Sequence, residues 1–196
     1  MSNTIIFFSV GNPGPMNRHS VGHLILKHLI EAFGASQLVK KGKYSFTKLE
    51  NVFFVKSNSY MNESGASLKT FLSTERVGNS TIIILYDDFE LNFPKVRIQN
   101  FKKNESHNGI KSVQKALLSL PNTVYKLGVG IGPKPQGASK DTMAAFVLAD
   151  FTFSQKQFMV EALHATEEYA SAIIDKDGEI GDCNKLNSRI SKVLEA

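Results

Sequence analysis

The chain has 196 residues, 42% of them hydrophobic and 21% charged, which supplies a buried core and excludes a disordered composition. Lys and Arg number 23 against 18 Asp and Glu, a formal charge of +5 that favours a polyanionic partner without requiring one. One cysteine, Cys183, excludes an intramolecular disulfide and a Cys-rich zinc module, and no apolar run approaches the ~20 residues that cross a bilayer.

In chain order, Met1-Ser-Asn-Thr4 runs directly into apolar residues, without the basic start and long apolar centre of a secretory signal or the Arg-rich amphipathic pattern of a presequence. Ile5–Val10 reads as a buried strand and ends at the breaker cluster Gly11-Asn-Pro-Gly14. From Val21, Leu24, Ile25, Leu29 and Ala32 recur at helical steps until a glycine stop at Gly34. Lys43–Leu49 and Val52–Ser57 read as strands joined by a turn at Glu50-Asn51. Asn62–Glu75 follows as a helix with Ala66, Leu68, Phe71 and Leu72 facing inward.

Thr81–Tyr86, nearly all apolar and β-branched, reads as a central strand covered on both faces and ending at Asp87-Asp88. Val96–Phe101 (strand), Gly109–Leu120 (helix) and Val124–Gly130 (strand) come next, and Pro133–Lys140 reads as a surface loop. Ser154–Ile174 forms a long helix with Phe158, Ala162, Tyr169, Ala170 and Ile173 on one side, and Asp182–Leu194 a terminal helix. Strands and helices alternating in this way predict one α/β domain over residues 1–196. Its sheet is mixed, mostly parallel and covered by helices on both faces.

Polar residues gather at the ends of these elements: Asn12, His19, Met61-Asn62, Asp87 and His107-Asn108. In open α/β sheets, ligands collect beyond the carboxyl ends of strands, where loops converge. Each residue also has a structural explanation. Asn62 and Asn108 suit helix N-caps, and Asp87 suits a turn with Asp88. His19 and His23 have the spacing of a zinc pair, but neither an intervening glutamate nor a third ligand accompanies them. Gly11-Asn-Pro-Gly14 is neither a phosphate-binding Gly-Lys-Ser/Thr loop nor a dinucleotide fingerprint, and no Gly-x-Ser-x-Gly elbow occurs.

Together the clusters resemble the bacterial-type peptidyl-tRNA hydrolase family. Its motifs occur in order from Val10 to Leu148: Val10-Gly-Asn-Pro-Gly14, Arg18-His-Ser-Val-Gly22, Tyr60-Met-Asn-Glu-Ser-Gly65, Asp87-Asp-Phe-Glu-Leu91, His107-Asn-Gly109, Gly128-Val-Gly-Ile-Gly132 and Phe146-Val-Leu148. The resemblance implies a monomeric α/β enzyme with a twisted mixed sheet. The implied reaction, without cofactor or metal, is hydrolysis of the ester joining a peptide to the 3′ end of tRNA. By position, His19 matches the catalytic histidine and Asp87 its supporting aspartate. Asn12, Asn62 and Asn108 match amides that hold substrate and water, Met61 matches an apolar wall residue, and His107 and Tyr60 are further candidates.

Two departures stand out. The family's glycine-rich stretch before His-Asn-Gly is replaced by Phe101-Lys-Lys-Asn-Glu-Ser106, and the two basic residues that clamp the tRNA 5′-phosphate are replaced by Gln99 and Gly128. Arg97, Lys102, Lys103, Lys126 and Lys134 are the neighbouring candidates for that phosphate. The expected partner is the acceptor end of peptidyl-tRNA and no membrane, in the cytoplasm or mitochondrion. The competing readings are a non-catalytic RNA-binding relative in RNA processing and a hydrolase of another acylated or nucleoside substrate.

Overall fold

Ile5, Ile6, Phe7 and Phe8 are each fully buried, so β1 (Thr4–Ser9) has apolar cover on both faces. The computed structural model describes residues 3–196; the opening Met1-Ser2, read above for a leader, lies outside them. Because side chains alternate along a strand, Ile5 and Phe7 join one core with Ile25, Leu29, Tyr169 and Ile173. Ile6 and Phe8 join a second with Leu68, Phe71, Ile110 and Val113.

Strand β1 pairs in parallel with β4 (Val52–Ser57) and β5 (Ser80–Asn92), and β5 pairs in parallel with β7 (Thr123–Gly132). Antiparallel strands complete both edges: β3 (Tyr44–Leu49) and β2 (Val39–Lys41) beyond β4, and β6 (Val96–Asn100) beyond β7. The order β2-β3-β4-β1-β5-β7-β6 makes one seven-stranded mixed sheet with a parallel centre. The helices α1 (Val21–Phe33), α5 (Phe153–Asp175) and α6 (Cys183–Glu195) cover one face. The other face carries α2 (Ser64–Thr74) and α3 (Asn108–Ala116), and α4 (Lys140–Leu148) precedes α5.

Most boundaries follow from local chemistry. Gly34, at φ 73°, closes α1 in the left-handed conformation that glycine adopts without strain. Other expectations are corrected. Ala32, Ala66 and Phe158 are exposed rather than inward. Helix α3 stops at Ala116, short of Leu120. Helix α4 buries none of its residues, so no apolar stripe announces it in the sequence, and β2 is three exposed residues on the sheet edge.

The largest correction concerns β5. Its ladder does not end at Asp87-Asp88: Asp87 pairs with Val129, Asp88 with Gly130, and after a register shift Asn92 pairs with Gly132. Glycine permits this continuation, because a Cβ at Gly130 would lie 2.4 Å from the Asn92 carbonyl oxygen. Asp87 is therefore held by the sheet itself, not by a turn.

Candidate active site

His19 sits in a 3₁₀ turn, Arg18–Ser20, between β1 and α1. Asn17 closes that turn with a capping box: its side chain accepts from the Ser20 amide at 3.0 Å, and the Ser20 hydroxyl accepts from the Asn17 amide at 3.0 Å. Arg18 is buried and anchors the turn from behind. Its guanidinium donates to the Phe146 carbonyl at 3.1 Å and to Gln155 Oε1 at 3.3 Å, and stacks 4.5 Å from the Phe146 ring. Gly22 brings the start of α1 against β5, since a Cβ there would stand 2.4 Å from the Leu85 carbonyl oxygen.

Asp87 is fully buried and accepts hydrogen bonds from two histidines on opposite carboxylate oxygens. His19 Nδ1 lies 2.7 Å from Oδ2 and His107 Nε2 lies 2.7 Å from Oδ1. The other nitrogen of His107, Nδ1, accepts from the Gly109 and Ile110 amides at 3.1 and 3.3 Å, so this side chain is the N-cap of α3. An Nδ1 that accepts two amide protons carries none itself, and the His107 proton is fixed on Nε2, pointing at Asp87. His19 correspondingly donates from Nδ1. Its Nε2 has no partner among the described residues and is the basic atom left over.

Burial works against the charged forms of both groups. The charge and hydrogen bond of Asp87 nevertheless raise His19 above its ordinary pKa, and the two imidazoles hold the Asp87 carboxyl below the usual carboxylate range. His23, one turn into α1, behaves in the opposite way. It is half-buried, and desolvation together with the charge of Lys56 pushes it down to about 4, with Nδ1 2.8 Å from the Ser9 hydroxyl. The two histidines with zinc-pair spacing thus turn to different partners. His19, Asp87 and His107 offer ligand atoms within 4.8 Å of one another. Those atoms are committed to mutual hydrogen bonds and to the α3 cap, a donor set suited to holding protons rather than an ion.

The remaining candidates lie on the loops after β1 and β4 and at the start of α3. Asn12 Oδ1 accepts from the Met61 amide at 2.8 Å, which ties the end of β1 to the 3₁₀ turn Met61–Glu63 and leaves the Asn12 amide hydrogens as its free donors. Met61 is buried against the start of α3, where a Cβ on Gly109 would come within 2.4 Å of its sulfur. Asn62 and Asn108 are exposed and neither is an N-cap: His107 caps α3, and the turn before α2 has no side-chain cap. Tyr60 is largely exposed.

The basic candidates divide. Lys126 is buried, and its ammonium lies 2.8 Å from both carboxylate oxygens of Glu105, so it cannot meet a phosphate at the surface. Arg97 donates through Nε to Asp88 at 2.9 Å, with its side chain partly exposed, and Lys134 pairs with Glu90 at the surface. Lys102 and Lys103 are exposed on the loop before α3. An arginine could not replace Gly128 in this arrangement, because a Cβ there would lie 2.8 Å from Asp88 Cβ and 3.0 Å from the Tyr86 ring. Arg18, Glu105 and the role of His107 as cap were not anticipated. Of these, only the Asn17-Arg-His-Ser20 pattern, a capping-box spacing, carries a local signal.

The family profile described as peptidyl-tRNA hydrolase matches residues 6–193. The peptidyl-tRNA hydrolase of Wolinella succinogenes is 33% identical over 183 residues, covering 88% of each chain. That of Kosmotoga olearia is 30% identical over 196 residues, covering 96% of this chain and 98% of its own. The crystal structure of peptidyl-tRNA hydrolase from Acinetobacter baumannii superposes with a TM-score of 0.75 at 23% identity, covering 95% of this chain and 96% of that one, a likeness of fold. With the profile spanning nearly its whole length, the chain belongs to the peptidyl-tRNA hydrolase family.

Proposed function

We propose that the protein hydrolyses the ester between a peptide and the 3′-terminal ribose of tRNA, using His19 as the base that activates water. The observation that carries this reading is the asymmetry of His19: Nδ1 is committed to a buried carboxylate and Nε2 is free. Water attacks the ester carbonyl carbon as its proton passes to Nε2, and Asp87 stabilises the imidazolium. Collapse of the tetrahedral intermediate breaks the bond to the ribose oxygen, which takes the proton back from His19. The products are free tRNA and a peptide acid.

Asn12, Asn62 and Asn108 supply neutral donors and acceptors for the peptide, the water or the developing oxyanion, and Met61 an apolar wall. Arg97, Lys102 and Lys103 supply positive charge for phosphates of the acceptor stem, contacts that carry no base information and suit a substrate set of many tRNAs. One chain supplies His19, Asp87 and His107 alike, so the proposed site needs no second copy, in keeping with a monomer. No described helix is long and apolar enough to cross a membrane. A compartment with active ribosomes, cytoplasmic or mitochondrial, is where such a substrate arises.

The test is release of tRNA from N-acetyl-aminoacyl-tRNA with EDTA present. Cleavage that survives chelation and favours the N-blocked ester over free aminoacyl-tRNA is expected. A protein that binds tRNA without cleaving it would instead be the RNA-binding relative.

A further inference from the structure

The loop that delivers His107 and Asn108 carries no glycine from Phe101 to Ser106 and is fastened by charge. Glu105 and Lys126 are 8% and 3% exposed, with Lys126 Nζ 2.8 Å from each carboxylate oxygen of Glu105. Glu105 Oε2 also accepts from the Lys102 amide at 2.6 Å, and Gln114 on α3 donates to the Lys102 carbonyl at 2.6 Å. Lys126 belongs to β7, the rigid neighbour of β5, and its ammonium lies 5.7 Å from the Tyr86 ring centroid. Tyr86 in turn packs edge-on against His107 at 5.3 Å. A buried ion pair so placed constrains position, because removing either partner strands a charge in the interior.

We propose that Glu105 and Lys126 are positioning residues for the hydrolytic site: their ion pair clamps the loop to β7 so that His107 keeps its hydrogen bond to Asp87 and its cap on α3. This rests on the proposed hydrolysis, and it acts through His107, not through the substrate. With His107 in place, Asp87 shares its charge between two N–H donors; without it, the whole carboxylate charge falls on His19. The groups facing His19 are Asp87 from β5 and His107 from the start of α3, so loss of the clamp raises the pH at which His19 becomes a free base.

The experiment uses the double variant Glu105→Gln/Lys126→Met, which removes both charges at nearly constant volume, beside the single variant Lys126→Met. The single variant leaves Glu105 buried and uncompensated and reports mainly on folding. In the double variant, kcat should fall ten- to a hundredfold with KM nearly unchanged, since misplacement rather than lost contact is the defect. The acid limb of the rate profile should move to higher pH. Histidine ring NMR should show the His107 proton, fixed on Nε2 in the parent, distributed over both nitrogens. A double variant with parental kcat and acid limb would overturn the proposal, as would an unchanged His107 tautomer beside lowered kcat. If the parent itself releases no tRNA, the proposed function fails instead, and the His107 tautomer still decides whether the pair holds that side chain.

Discussion

Asp87 and Asp88 are neighbours on β5, both buried, and they meet different kinds of partner. Asp87 faces two imidazoles, rings that each pair a donor nitrogen with an acceptor; Asp88 faces the Arg97 guanidinium, a donor only, together with the Tyr86 hydroxyl at 3.4 Å and the Glu90 amide at 3.0 Å. Identical carboxylates one residue apart thus sit in unlike surroundings, one against imidazoles that suit the proposed proton transfer and one against a guanidinium that suits an anchor. The anchor also fills the space over Gly128, where a Cβ would lie 2.8 Å from Asp88 Cβ.

The comparison breaks most visibly at His19. Replacing it with alanine should cost ~10²–10⁴-fold in kcat while tRNA binding by filter retention persists. Asn62→Ala and Asn108→Ala should cost less, about tenfold to a hundredfold each, because in the proposed mechanism each removes one of several polar contacts to the reacting ester. On the anchor side, Asp88→Asn should leave the pH profile where it is and cost about 1–3 kcal/mol in urea unfolding, the range of a charge-assisted hydrogen bond. A shifted profile in Asp88→Asn would mean that the two carboxylates act as one unit.

Stability should sharpen the same contrast through pH. His19 is raised above 6.5, so its contribution is complete below 6.5 and fades as pH climbs through its folded pKa. Asp87 is lowered below 3.8, so its contribution is present above 3.8 and fades as pH falls through its folded pKa. His23 is lowered from 6.5 to about 4 and stabilises the fold above 6.5, a gain lost between 6.5 and 4 that amounts to roughly 3 kcal/mol. Urea unfolding across that interval should show the decline, and His23→Gln should flatten it.

Much of this architecture is legible in the residues. The β-branched run Thr81–Tyr86 is a buried interior strand, Gly34 stops α1, and Glu50-Asn51 turns β3 into β4. The ordered motifs name His19, Asp87 and His107, which the fold brings together around one carboxylate. What escapes is set by tertiary contact. Either of two adjacent polar residues could cap α3, and only packing against Asp87 selects His107 over Asn108. Lys126 reads as a surface cation until Glu105, brought across from the loop before α3, buries it. Helix α4 is hidden because it buries nothing.

The most direct test is the pH dependence of kcat/KM for N-acetyl-aminoacyl-tRNA in the parent and in Asp87→Asn. An Asp87-supported His19 base predicts an acid limb above pH 6.5 in the parent that drops to lower pH, with a much smaller maximum, once the carboxylate charge is gone. The same limb in both proteins, at similar rates, would contradict it.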